Sequence, residues 1–68
     1  MIKKYNYMEE MWIARDRTGI LRIYDNEPKV DKRKQEIISI GGYYDININL
    51  FPQITFDNSP KKIKIELI

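Results

Sequence analysis

The chain has 68 residues, of which 43% are hydrophobic and 32% charged, a size and composition typical of one small globular domain. It contains neither Cys nor His, which excludes disulfides and any zinc site built from thiolate or imidazole ligands. Twelve basic residues nearly balance ten acidic ones, so no overwhelming charge of one sign marks a nucleic-acid or membrane partner. Because so small a core has a thin stability margin, we expect close packing or oligomerisation to support it.

Residues 1–10 are interpreted as a lead-in to a single β domain over residues 11–68. The apolar residues of the lead-in fit either a strand or a helical turn, so this segment stays unassigned. No apolar run approaches the roughly 20 residues of a membrane span, and the first residues lack the apolar stretch of a signal peptide. We therefore expect a soluble cytoplasmic protein without a membrane partner.

The clearest local signal is a pair of apolar runs joined by Asp-Arg-Thr-Gly at residues 16–19. Asp suits the first position of a type I turn and Gly the left-handed position, which predicts a β-hairpin with a three-residue loop and a bulge at Gly19. The predicted pairs are Asp16 with Ile20, Arg15 with Leu21, Ala14 with Arg22, Ile13 with Ile23 and Trp12 with Tyr24. One side of this pair is then largely aliphatic, and the other carries Trp12, Arg22 and Tyr24.

Residues 25–28 are predicted to form a loop, because proline lacks an amide donor and biases the residue before it to an extended conformation. Residues 31–40 are ambiguous, since Asp31 suits the N-cap of a short helix that Gly41 would end. The β-branched isoleucines favour a strand over residues 36–40, which is our prediction. The glycines at 41 and 42 are expected to take positive φ in a tight turn into the next strand.

Residues 43–50 alternate most cleanly in the chain and predict a strand. Its apolar side would carry Tyr44, Ile46, Ile48 and Leu50. Proline at position 52 must break the ladder, and residues 54–56 are expected to resume an extended pattern. Four turn formers at 57–60 precede a final strand over residues 62–68, which we expect to be paired inside the sheet or across a dimer, with Ile63, Ile65 and Leu67 inward. Together these elements predict an all-β fold, an antiparallel meander of about five strands that curls into a small barrel or sandwich.

Two stretches resemble a known group of proteins: Trp-Ile-Ala-Arg-Asp-x-x-Gly at residues 12–19, and Leu-Phe-Pro-Gln-Ile-Thr-Phe-Asp-Asn-Ser-Pro at 50–60 followed by Ile-Lys-Ile at 63–65. The chain resembles small uncharacterised proteins of bacterial prophages and mobile elements in these segments. The resemblance implies a genomic setting. It implies no catalytic or binding residue, because no activity is assigned to that group.

Catalysis is disfavoured by the residue types present. Neither Ser39 nor Ser59 has a local general base or a nucleophile-elbow motif, and Asp16 and Asp25 are explained as turn formers. A β domain of this size is expected to lack room for the roughly 300 Å³ of a small-molecule site, so no cofactor and no small-molecule ligand is predicted. Three oxygen ligands alternate at positions 45, 47 and 49, but a straight strand sets them about 6–7 Å apart, so no metal site is predicted.

Trp12, Arg22 and Tyr24 are the candidate contacts for a protein partner, because these residue types are enriched at interaction hot spots. The competing interpretation makes Trp12 a core residue that the aliphatic stem of Arg22 covers. We expect a non-enzymatic module that binds a protein or self-associates, or alternatively a minor structural component of a phage particle. A further alternative is a small barrel that binds nucleic acid through Lys32, Arg33, Lys34, Tyr43 and Tyr44.

Overall fold

A computed structural model describes the backbone of residues 7–67 and the side chains of residues 10–64. Six strands make up its regular structure: β1 (Tyr7–Arg15), β2 (Leu21–Tyr24), β3 (Lys29–Asp31), β4 (Glu36–Ile38), β5 (Tyr43–Ile46) and β6 (Lys61–Leu67). The described backbone contains no helix, so the predicted all-β class is confirmed. Within it, no helix is long and apolar enough to cross a membrane.

The strands form two antiparallel sheets, one of four strands in the order β5-β2-β1-β6 and one of two strands, β3-β4. The larger sheet is open, with β5 and β6 at opposite edges, so of the predicted forms, a barrel or a sandwich, the closed barrel does not occur. Its order also departs from a meander, because the β3-β4 hairpin is inserted between β2 and β5 and β6 returns beside β1. With nine residues, β1 is long enough to pair with β6 over Tyr7–Ile13 and with β2 over Trp12–Arg15.

The first hairpin has the predicted register, with Trp12 opposite Tyr24 and Arg15 opposite Leu21. Gly19 has a φ of 102°, and the Asp16 amide donates to the Ile20 carbonyl at 2.9 Å, as the predicted three-residue loop requires. The start of the chain departs from the interpretation as a lead-in, because β1 begins at Tyr7. Residues 1–6 lie outside the described residues.

The segment between β2 and β5 differs from the prediction in three respects. β3 was not foreseen, and β4 ends at Ile38, so residues 39 and 40 lie outside the strand. Neither Gly41 nor Gly42 has a positive φ. Glycine serves a different purpose here, because a Cβ on Gly41 would lie 2.5 Å from Oδ1 of Asp25. A side chain at position 41 would therefore displace the Asp25 side chain, which lies close to the backbone here.

The predicted strand over residues 43–50 is correct only as far as Ile46. The Asn47 side chain accepts a hydrogen bond from the Asn49 amide at 2.8 Å, and the Asn47 carbonyl accepts one from Leu50 at 3.0 Å. This local bonding replaces the ladder with a turn. Residues 54–56 likewise form no strand, since they lie between a turn that the Ile54 amide closes on the Phe51 carbonyl at 2.9 Å and a second turn at residues 56–58.

The final strand is confirmed as β6, with Ile63 half-buried against the core; the side chains of Ile65 and Leu67 are outside the described residues, as is Ile68. β6 pairs only on its β1 side within the described backbone. The core lies on the aliphatic side of the sheet, where buried Ile13, Leu21 and Ile54 form one cluster. Ile54 reaches this cluster from the loop after β5 and therefore ties that loop to the sheet.

Candidate protein-binding surface

One row of side chains crosses all four strands of the large sheet. The strand registers place Tyr43, Tyr24, Trp12 and Lys62 in line, a set that we call the aromatic row. The Tyr24 and Tyr43 ring centroids are 5.8 Å apart at an interplanar angle of 41°. At the other end, the Lys62 Nζ lies 5.7 Å from the Trp12 ring centroid, within the range of a cation-π contact.

Arg22 sits beside this row and is ion-paired across the sheet. Its Nε donates to Oδ1 of Asp45 at 2.7 Å, and its Cζ lies 4.6 Å from the Tyr43 ring centroid. The hydrogen bond to Asp45 raises the pKa of the Arg22 guanidinium above its usual range. Arg22 is thus held in place on both sides, by a carboxylate and by an aromatic ring.

The structure brings Trp12, Arg22 and Tyr24 to one face, as the hairpin register predicted, but it gives them different exposures. Tyr24 is only 2% exposed, and this burial raises the pKa of its phenol. Trp12 and Arg22 are half-buried. Tyr24 therefore has almost no surface to offer a partner, whereas Trp12 and Arg22 keep part of their surface accessible.

The residues of the nucleic-acid alternative do not converge. Lys32 is engaged within the molecule, because its Nζ donates to the carbonyls of Phe56 and Asp57, both at 3.3 Å, and lies 4.7 Å from the Phe56 ring centroid. Tyr43 and Tyr44 are consecutive in β5 and so lie on opposite faces of the sheet. Arg33 and Lys34 are exposed in the turn between β3 and β4.

The three residues with alternating oxygen groups, at positions 45, 47 and 49, all have partners within the molecule. Asp45 pairs with Arg22, while Asn47 and Asn49 bond to each other in the turn rather than continuing a strand. Among the residues whose side chains are described, no group of three or more acidic side chains is arranged to hold a metal ion.

Arg15 organises the loop after β5, a role that the sequence analysis missed. Its guanidinium donates to five backbone carbonyls, at distances from 2.6 to 3.2 Å: Ile54, Gly19, Ile48, Leu50 and Phe51. These bonds match the five N–H donors of an arginine side chain. Only Gly19 is near Arg15 in sequence, so the bonds to the other four carbonyls could not be predicted from the local sequence.

The loop held by Arg15 leaves an apolar groove on the aliphatic side of the sheet. The groove has a volume of about 420 Å³ and is lined by Ile13, Ile23, Phe51, Gln53, Ile54, Ile63 and Lys64. Its size contradicts the expectation that so small a domain has no room for such a cavity. Phe51, which lines the groove, is 45% exposed and has a φ of 51°, in the left-handed region.

Large apolar side chains are exposed around this loop. All but one of those that are exposed in the described part of the chain lie between residues 38 and 51: Ile38, Ile40, Tyr43, Tyr44, Ile48, Leu50 and Phe51. The most exposed is Tyr44, at 69%, which lies opposite Ile23 in the sheet register and so shares the face that carries the groove. The aliphatic side of the sheet therefore stays partly open beside a packed core.

Comparisons with known proteins add no family. No protein-family model matches the chain, and neither a curated protein nor a solved structure matches it. The function is therefore argued from the geometry of the molecule.

Proposed function

We propose that the protein is a non-enzymatic module that binds another protein through the apolar groove. The observation that carries this proposal is a groove of about 420 Å³ whose lining is mostly aliphatic and aromatic and which opens to the surface at Phe51. Apolar surface of this kind gains free energy when a partner removes it from water. Four of the Arg15 guanidinium bonds hold the loop in shape, so the groove exists before a partner arrives.

The conformation of Phe51 supports a role at this position. A bulky residue in the left-handed region is uncommon and strained. The surrounding bonds hold it there, because its carbonyl accepts from the Ile54 amide at 2.9 Å and from the Arg15 side chain at 3.2 Å. Strain of this kind persists where the surroundings impose it, often at ligand contacts. Here the result is an aromatic ring beside the groove, partly in water.

A protein partner suits this surface better than nucleic acid does, since the groove is apolar and the basic and tyrosine residues of the alternative are dispersed. The resemblance of residues 12–19 and 50–60 to prophage and mobile-element proteins supports an origin in such an element, with the protein acting in the cytoplasm of its host. A role as a minor component of a phage particle is one form of the same protein-binding function.

The test replaces Phe51 with Asn, which removes the ring and accepts a left-handed φ more readily. Leu50→Asn is the matched control, because Leu50 is 47% exposed but does not line the groove. Tagged wild type and both variants are used to capture proteins from a nuclease-treated bacterial lysate, and the captured protein is then titrated against each. Sedimentation velocity of the wild type and of Phe51→Asn reports whether the partner is a second copy.

We expect Phe51→Asn to weaken binding at least tenfold while its thermal midpoint is maintained, and Leu50→Asn to bind like the wild type. Equal binding by Phe51→Asn and wild type would overturn the proposal. So would a wild-type capture without any protein partner, if the protein also sediments as a monomer.

A further inference from the structure

Resting on the proposed function, we infer that the groove's partner is an extended segment of alternating acidic and apolar residues, which adds to the outer edge of β6 as a fifth strand. β6 is the longest strand that is open along the whole of one side, because its residues Lys61–Leu67 pair only with β1 within residues 7–67. On an antiparallel edge strand, alternate N–H and C=O groups point away from the neighbouring strand. An added peptide strand would bond to these groups.

Three charged positions share one face of β6: Lys62 and Lys64 in its first half and Glu66 near its end. The two lysines make the first half of the strand selective for an acidic partner. Lys62 lies opposite Trp12 and Lys64 opposite Glu10, so the register places both lysines on the face of the aromatic row. Lys64, at the edge of the sheet, also borders the groove. Both lysines are exposed. On an added strand, every second residue would face these two ammonium groups, and opposite charges stabilise such cross-strand neighbours. A second copy of this strand would bring its own lysines to the same edge, where like charges repel.

The other face of β6 selects apolar residues. Ile63 lies between the two lysines in sequence and is directed to the opposite face, where it lines the groove together with Ile13 and Phe51. Residues of the added strand that lie between its acidic positions would be directed to the same face and would extend the apolar lining of the groove. A partner strand would therefore fit β6 best if acidic residues, on the face of the two lysines, alternated with apolar residues on the face of the groove.

Glu10 competes within the molecule for one of these lysines. Its Oε2 lies 2.9 Å from the Lys62 Nζ, and both side chains are about half exposed, at 55% and 52%. A partner carboxylate must share Lys62 with Glu10. Removing the Glu10 charge is therefore expected to strengthen binding, an effect that a general loss of stability would not produce.

The probe is a fluorescently labelled peptide, acetyl-Glu-Val-Glu-Ile-Glu-Val-Glu-amide, titrated against the full chain by anisotropy. A peptide of the same composition in separate acidic and apolar blocks tests the alternation, and one with Lys in place of Glu tests the charge. The variants are Glu10→Gln, the double variant Lys62→Glu/Lys64→Glu, and Lys61→Glu. Lys61 is the matched control, because it lies opposite Ile13 and so on the other face of the same strand.

We expect the alternating peptide to bind the wild type, the Glu10→Gln variant to bind it about twofold to fivefold more tightly, and the double variant about tenfold more weakly. Lys61→Glu is expected to have a smaller effect than the double variant. Amide hydrogen exchange would show new protection at alternate residues of β6. Absence of binding, or equal binding by the double variant and wild type, would overturn the inference.

Three further outcomes separate this inference from the proposed function. If Phe51→Asn loses the captured partner while the double variant retains it, the proposed binding through the groove is supported and the inferred strand addition to β6 is wrong. If peptide binding requires the two lysines, but neither peptide binding nor partner binding requires Phe51, the proposed role of the groove in binding is wrong. Displacement of the peptide by a short oligonucleotide at matched ionic strength would point instead to a nucleic-acid ligand and contradict both.

Discussion

The backbone amide of Arg15 donates a hydrogen bond of 2.9 Å to Oγ of Ser59, which joins the end of β1 to the segment that leads into β6. Ser59 is buried, at 8% exposure, and its hydroxyl donates in turn to the Thr55 carbonyl at 2.5 Å. The hydroxyl thus satisfies one buried donor and one acceptor at the same time. Through this contact, the turn at residues 56–58 is fixed to the first strand.

Replacement of Ser59 by Ala should destabilise the fold. The Arg15 amide and the Thr55 carbonyl would both lose a partner, and leaving a buried polar group unpaired costs about 1–3 kcal/mol. Urea denaturation of Ser59→Ala and wild type gives the difference directly. Ser39→Ala is the control, since Ser39 is exposed and should change the free energy of unfolding little. Equal losses in the two variants would show that the Ser59 contact contributes nothing specific.

Arg15→Lys should destabilise the fold even though it keeps the positive charge. Lysine has three donors and no planar guanidinium, so it cannot satisfy four carbonyls of the loop together with that of Gly19 in the first hairpin. We expect a loss of about 2 kcal/mol in the free energy of unfolding, measured by urea denaturation, and faster amide exchange in residues 47–54. Arg17→Lys, at the exposed tip of the same hairpin, is the control and should be neutral. A neutral Arg15→Lys would mean that the loop is held by its apolar contacts alone.

The Asp16 carboxylate should make stability depend on pH in the acid range. Burial alone raises its pKa, but hydrogen bonds from the Thr18 hydroxyl and from the Thr18 and Ile20 amides outweigh this and lower the pKa below its ordinary value of 3.8. Because the unfolded state then takes up the proton more readily, the stabilisation is present above 3.8 and is lost as pH falls through the folded-state pKa. In Asp16→Asn this contribution should vanish.

The measurement is the difference in unfolding free energy between wild type and Asp16→Asn, from about pH 7 down to about pH 2. The wild-type advantage should shrink on acidification. A difference that stays constant over the whole range would show that the Asp16 pKa is the same in both states.

The two turns that contain glycine should respond differently to a methyl group. Gly19 has a φ of 102°, and apart from its chain neighbours no atom of the described residues lies within 4 Å of the place where a Cβ would be, so Gly19→Ala carries only the backbone cost of about 1 kcal/mol or more. A Cβ on Gly41 would meet the ends of the Asp25 and Asn26 side chains, which are exposed and can move aside by giving up the 3.1 Å hydrogen bond between them. Gly41→Ala should therefore cost less. Thermal melts of both variants give the two losses in midpoint, and a larger loss for Gly41→Ala than for Gly19→Ala would contradict the prediction.

Removal of residues 65–68 should lower the thermal midpoint and solubility. The deletion takes away the part of β6 that pairs with Tyr7–Glu9, and β2 pairs with β1 only from Trp12 on, so Tyr7–Glu9 would have no strand partner within the described backbone. Removing residue 68 alone is the control, since β6 ends at Leu67. An unchanged melt of the longer deletion would make the end of β6 dispensable for the fold.

Features that depend on residues close together in sequence were predictable. The register of the first hairpin was predicted correctly because its turn is determined by Asp16 and Gly19, which are only three residues apart. The turn at residues 47–50 was missed because the alternation there is genuine, and the bonds that override it come from the Asn47 side chain and from Arg15, 33 residues from Ile48. Such a distant donor leaves no trace in the local pattern.

The candidate site was less accessible to sequence reasoning than the fold. Alternation correctly placed Trp12, Arg22 and Tyr24 on one face, but it says nothing about which face a later loop will cover. The groove depends on Ile54 packing against Ile13 and Leu21 while Phe51 remains outside. These contacts join segments about 30 or more residues apart, so their geometry emerges only with the whole chain. β3 was missed for a simpler reason, because a three-residue strand with one apolar residue has too little pattern to detect.

The antiparallel pairing of Tyr7 with Leu67 places the beginning of β1 directly beside the end of β6. A short covalent linker between these two positions would convert the pairing of greatest sequence separation into a local hairpin, and the chain could be opened instead at the exposed loop of residues 25–27. Such a circular permutant would keep the register of the four-stranded sheet while reducing the loop-closure entropy of joining β1 to β6. It should therefore fold faster than the native arrangement, since folding rates rise as contacts become more local.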